Sequence, residues 1–152
     1  LVGASVISNQ LYWVSVGDSI LYLLRNGELR QLNADHSYLS VLKEKVAAQE
    51  MTVDEMKIHP QRNQLLSALV GDDLELIDLP PEPVELKDGD HILLATDGID
   101  TLDSGEIIET IRMNVDPIDT ETTAMLVLNA VHAKSRELQD NTAVICAYCY
   151  LD

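Results

Sequence analysis

The sequence predicts an α+β domain built on a mostly antiparallel sheet. Three observations carry that reading. Short apolar runs broken by turn residues fill the first forty positions, and two segments of helical periodicity lie in the C-terminal half. Hydrophobic residues make up 46% of the 152-residue chain, enough for one core. Phe is absent, so that core rests on Leu, Val, Ile, Ala and Met.

Val6-Ile7 and residues 11–16 read as strands around an Asn9-Gln10 turn, and Gly17-Asp18-Ser19 turns the chain into a strand over 20–24. Asn26-Gly27 is a strong hairpin signal, because both central residues of a type I′ turn take positive φ. Residues 28–32 pair back across it. From residue 38 to about 60 the pattern turns helical, with Leu39, Leu42, Val46 and Met51 as a narrow stripe. Thr52-Val53-Asp54-Glu55 forms a capping box for a short second helix, which His59-Pro60 ends. Residues 65–70 are a short apolar run stopped by Gly71-Asp72-Asp73. Residues 74–79 alternate like a strand, and Pro80-Pro81-Glu82-Pro83 is a stiff connector. Lys87-Asp88-Gly89-Asp90 leads into a buried strand over 91–96. Asp103-Ser104-Gly105-Glu106 caps a helix running to about 113. A longer helix over 120–135 turns Ala124, Val127, Leu128 and Val131 inward, and a strand over 142–150 closes the chain.

The formal net charge of −16 excludes nucleic acid and anionic membranes as partners. No apolar stretch approaches the roughly 18 residues that span a bilayer, and no N-terminal signal is present, so a cytoplasmic domain is expected. The chain opens in strand-like sequence without Met, which predicts part of a longer chain. Its open strand edges are expected to pair with another copy or with a missing N-terminal segment. Cys146 and Cys149 lie in the last strand, where residues three apart face opposite sides, so the pair is read as structural rather than as a redox or zinc site.

Three aspartates stand where apolar runs meet loops. Asp97 follows the run 91–96, Asp140 precedes 142–145, and Asp18 turns between two strands. Carboxylates at strand ends face a cleft, and an oxygen-only donor set suits Mg2+ or Mn2+ better than zinc. Asp18, Asp97 and Asp140 are therefore candidate metal ligands. The plainer alternative is that they cap turns, where Asp before Gly is common. None of His36, His59, His91 and His132 pairs with a Ser or Cys at a nucleophile spacing, so no catalytic residue beyond the ligands is assigned. His36 reads as a hydrogen-bonded loop anchor.

Four motifs in order resemble the metal-dependent protein serine/threonine phosphatases of the 2C type: Val16-Gly17-Asp18-Ser19 with the hairpin after it, Gln31-Leu32-Asn33-Ala34-Asp35-His36-Ser37, Ala95-Thr96-Asp97-Gly98-Ile99, and Gln139-Asp140-Asn141-Thr142-Ala143-Val144. The resemblance implies a β-sandwich flanked by helices (αββα layers), incomplete at its N-terminus, with residues 1–152 as the C-terminal portion of one catalytic domain. It implies hydrolysis of phosphoserine and phosphothreonine in phosphoprotein substrates by a dinuclear Mn/Mg centre. Asp97 and Asp140 would hold one ion of that pair, and Asp18 would serve a third site. Residues 38–70 would form the flap beside the active site. Departures are plain: the family's Asp-Gly-x-Gly-Gly segment is absent, Ile20 replaces an expected Arg, and Thr101 stands where a second Asp is usual, with Asp100 one residue early. A chain lacking that segment is expected to be inactive alone. A pseudophosphatase or regulatory binding module with the same fold is the alternative.

Overall fold

The computed structural model describes residues 1–71, 73–135 and 139–151, so Asp72 of the turn expected at 71–73 lies outside the described residues. Two antiparallel sheets form. The first has the order β1-β2-β5, from β1 (Val2–Ile7), β2 (Gln10–Ser15) and the two-residue β5 (Val84–Glu85). The second has the order β4-β3-β6-β7, from β3 (Ile20–Arg25), β4 (Glu28–Gln31), β6 (His91–Ala95) and β7 (Val144–Tyr148). The β3–β4 hairpin turns on Asn26 and Gly27 at φ 52° and 82°, the left-handed pair that a type I′ turn demands.

Alternation along β3 explains the layers. Leu21 and Leu23 face the first sheet and join Leu11, Leu86 and Ile92 in a core between the sheets. Ile20 and Leu24 face the other way, into a second core with Leu93, Ile99, Ile107, Ile111, Val127 and Val131. That second core lies beneath α3 (Ser104–Arg112) and α4 (Thr120–Ala133). The layers are thus sheet, sheet and helices. The outer face of the first sheet leaves Tyr12 and Val14 exposed. Cys146 packs on the helix-side core and Cys149 on the inter-sheet core, so the two thiols do face opposite ways.

Both expected capping boxes are present. Thr52 and Glu55 open α2 (Val53–Lys57), and Asp103 and Glu106 open α3, each satisfying two backbone N–H groups at a helix start. Ser37 caps α1 (Tyr38–Ala47), whose one fully buried residue is Leu42. On α4 the inward positions are Thr123, Val127 and Val131, with Ala124 and Leu128 half-buried. The Thr123 hydroxyl is tied to Asn114 Nδ2 at 2.9 Å, which lets a polar residue sit inside.

Two expectations are corrected and two elements are added. The first hairpin turns one residue early, on Ser8 and Asn9 at φ 47° and 57°, because Ile7 pairs with Gln10. Residues 74–79 make no strand. Asp78 forms a single bridge to Ser15, and its carboxylate accepts from Trp13 Nε1 (2.8 Å) and Ala34 N (3.1 Å), so the segment straps the first sheet to the loop after β4. The connector 80–83 leads straight into β5, which pairs with Gln10 and Leu11. Beyond β6 the chain coils at once into a 3-10 turn, Asp97–Thr101.

Candidate metal centre

Asp97 and Asp140 leave the same end of two adjacent strands. β6 pairs with β7 up to Ala95 opposite Val144, and the chain on either side then splays into loops. Thr96 latches those loops together. Its N–H donates to Ala143 O at 3.1 Å, its hydroxyl donates to Asn141 O at 3.1 Å, and the same oxygen accepts from Ala143 N at 3.0 Å. Gly98 makes the approach possible: a Cβ there would lie 2.8 Å from Asn141 O and 3.0 Å from Asp140 O, closer than side chains tolerate. The requirement is for space, because the glycine's φ is ordinary.

Asp18 comes from the turn between β2 and β3, at the end of β3 that pairs with Ala95. Two buried residues fix that turn. Asn33 accepts from Leu21 N at 2.7 Å and donates to Ser19 O at 2.8 Å. His36 donates its N–H to Gly17 O at 3.1 Å and accepts from Gly17 N through Nδ1 at 3.4 Å, the anchoring role expected of it.

The three aspartates line one cavity of about 480 Å³. Burial pushes the Asp97 carboxyl above its ordinary value, and the charges of Asp18 and then Asp140 push it further, against N–H donation from the backbone around Gly98. Such mutual repulsion among oxygen donors is what a hard divalent cation relieves, so the chemistry of the set fits Mg2+ or Mn2+. Among the described residues no three His, Cys, Asp or Glu side chains converge tightly enough to enclose an ion. The set fits the metal class and is partial.

The sequence reading missed four other charged residues in the cavity: Asp35, Asp100, Lys43 and Arg62. Burial raises the Asp100 carboxyl, Lys43 draws it back down, and Asp35, Asp97 and Asp18 raise it again. The Tyr22 hydroxyl beside them is pushed up to about 12 by burial and by the charges of Asp100 and Asp35. Signals existed for two of the four: Asp100 stands one residue before the position where the resemblance expects a second Asp, and Asp35 is two residues before the α1 cap, where its Oδ1 accepts from Ser37 N at 2.9 Å. Lys43 and Arg62 had none: Lys43 is an exposed position of α1, and Arg62 comes near only where the chain returns, with Tyr38 N donating to Gln64 O and Leu66 N to His36 O, both at 2.8 Å.

No family model matches the chain. Protein phosphatase PhpP of Streptococcus pneumoniae serotype 2 is 32% identical over 124 residues, covering 80% of this chain and 48% of that protein. The serine/threonine protein phosphatase PstP of Mycobacterium tuberculosis is 36% identical over 107 residues, covering 69% of this chain and 20% of that protein. The crystal structure of PstP/Ppp from that organism superimposes with a TM-score of 0.74 at 27% identity, over 97% of this chain and 58% of the other. The chain belongs to the 2C-type (PPM) family of serine/threonine phosphatases. It spans about half the length of the pneumococcal relative and a fifth of PstP. A PPM structure described as the PstP catalytic domain in complex with two manganese ions shares the fold, with a TM-score of 0.62 at 24% identity over 94% of this chain and 55% of the other. No helix among the described residues is long and apolar enough to cross a membrane.

Proposed function

We propose that residues 1–152 are the C-terminal portion of a PPM catalytic domain that hydrolyses phosphoserine and phosphothreonine in proteins, with residues 38–70 as its flap. The observation that carries this reading is the meeting of Asp18, Asp97 and Asp140 in one cavity at the end of the second sheet. Their mutual repulsion at Asp97 supports a cation-binding role. Asp97 and Asp140 would hold Mn2+ or Mg2+, and Asp18 a further ion. The ion on Asp97 and Asp140 would be one of a pair, and such a pair would supply a water of lowered pKa and neutralise phosphoryl oxygens. The chain's own contribution is to hold the donors in place: Thr96 fixes the Asp140 loop on the Asp97 turn, and Asn33 with His36 fixes the Asp18 turn. Because the donor set is partial, catalysis requires ligands from outside this chain, and the chain alone is inactive.

A second reading, a regulatory module with the fold but not the chemistry, is favoured by that same incomplete set together with Ile20 and Thr101. The separating experiment is p-nitrophenyl phosphate hydrolysis by the full-length protein with Mn2+ added and then chelated, beside its Asp97→Asn variant. The phosphatase reading requires Mn2+-dependent turnover that the variant loses. A folded protein with no turnover under any divalent metal is the regulatory module.

A further inference from the structure

The cavity that holds the candidate ligands is lined by five aspartates, 18, 35, 97, 100 and 140, and by two cations, Lys43 and Arg62. Both cations come from the flap, the wall contributed by α1 and the segment after α2. Both are exposed, and neither enters an ion pair with a described residue. In a chain of net charge −16, two cations that stand beside five carboxylates without an ion pair to any described residue can meet a ligand.

Their placement is built rather than incidental. The turn carrying Arg62 is pinned to the start of α1 at both ends: the His59 ring stacks on Tyr38 with centroids 5.4 Å apart, and Tyr38 N donates to Gln64 O at 2.8 Å. Arg62 Nη1 donates to Lys57 O at 2.8 Å, at the C-terminal end of α2, which uses one of its five N–H donors and leaves the rest available. Lys43 stands one turn beyond Leu39, which also lines the cavity, and its charge is felt by Asp100.

Charge decides what these two groups do. Five carboxylates make the cavity hostile to an anionic substrate, and two divalent ions would leave the lining about one charge short of neutral. Lys43 and Arg62 reverse that sign, and a guanidinium offers two parallel N–H donors to a phosphate or carboxylate. We propose that Lys43 and Arg62 are positioning residues that bind anionic oxygens of the substrate on the flap side of the cavity. This rests on the phosphatase reading. The oxygens belong either to the phosphoryl group or to acidic residues flanking the phosphorylated one, and both present the same chemistry to the pair.

The test is steady-state kinetics of the full-length protein with saturating Mn2+, comparing Lys43→Met, Arg62→Gln, Arg62→Lys and the unaltered protein. Three substrates are used: p-nitrophenyl phosphate and two phosphoserine peptides that differ only in acidic or neutral flanking residues. The expected result is a KM raised about tenfold by Lys43→Met and by Arg62→Gln with kcat changed less than twofold, partly restored in Arg62→Lys. A rise on all three substrates assigns the contact to phosphoryl oxygens, and a rise on the acidic peptide alone assigns it to flanking carboxylates. KM values within twofold of the unaltered protein on all three substrates overturn the proposal. If the unaltered protein shows no metal-dependent turnover, the phosphatase reading fails, and fluorescence anisotropy of the labelled acidic phosphopeptide decides this inference instead. Weaker binding by Arg62→Gln then supports it, and equal binding overturns it.

Discussion

Gly98→Ala is the sharpest structural perturbation of the candidate centre. The added methyl would collide with the Thr142 hydroxyl and stand 2.8 Å from Asn141 O and 3.0 Å from Asp140 O, whereas ordinary contact begins at 3.4 Å. The Asp140 loop must therefore retreat by about half an ångström. The three Thr96 hydrogen bonds that tie this loop to the Asp97 turn oppose the movement, so strain is shared between backbone and latch. Overpacking of this kind costs about 1–3 kcal/mol, and displacing reacting groups by about 1 Å costs up to roughly a hundredfold in rate. The expected outcome in the full-length protein is Mn2+ affinity and phosphatase activity each lower by about tenfold or more, with the far-UV circular dichroism preserved. Removing the nearest obstruction in Gly98→Ala/Thr142→Ala should restore part of both. If Gly98→Ala keeps unaltered activity and metal affinity, the loop contact does not set the Asp97–Asp140 geometry, and the reasoning is wrong.

Other perturbations test the frame that carries the site. Asp90→Asn removes the counter-ion of Arg25, whose Nε and Nη2 donate to the buried Asp90 carboxylate at 2.8 and 2.6 Å, and should destabilise by about 3 kcal/mol, lowering Tm by about 6–12 °C. Burial pushes the Asp90 carboxyl up, but hydrogen bonds from Arg25 and Lys87 N and the nearby positive charges outweigh it and hold the group below its ordinary value. Its contribution is therefore full above about pH 4, the unfolded carboxylate value, and is lost as pH falls below that through the lower folded value, so the acid limb of a stability profile should flatten in Asp90→Asn. Asn33→Ala strands Leu21 N and Ser19 O in the interior and should cost roughly 2–4 kcal/mol by urea unfolding, with reduced metal-dependent turnover because the Asp18 turn loosens. Asp103→Ala removes the α3 capping box, neither residue of which lines the cavity, and should cost about 1 kcal/mol while leaving turnover intact.

Local signals explain which features were legible in the sequence. The Asn26-Gly27 hairpin, both capping boxes and the strand ending at Asp97 follow from residues within a few positions of each other. Residues 74–79 carry the alternation of a strand but serve as a strap, because the partner they meet is Ser15 and the Trp13 indole rather than a full neighbouring edge. β5 is two residues long and exists only through β2, so nothing local announces it. The same holds in the cavity. Asp18, Asp97 and Asp140 each stand at a strand end and could be named individually, whereas Lys43 reaches the site through the direction α1 takes from its Ser37 cap and Arg62 through the return of the segment after α2 onto His36 and Tyr38.

The central claim is that Asp97 and Asp140 hold a divalent cation, and calorimetric titration of the full-length protein with Mn2+ tests it most directly. The account predicts saturable binding that weakens more than tenfold in Asp97→Asn and in Asp140→Asn, with both variants still folded. Equal affinity in the unaltered protein and both variants would contradict it and leave these aspartates as turn caps.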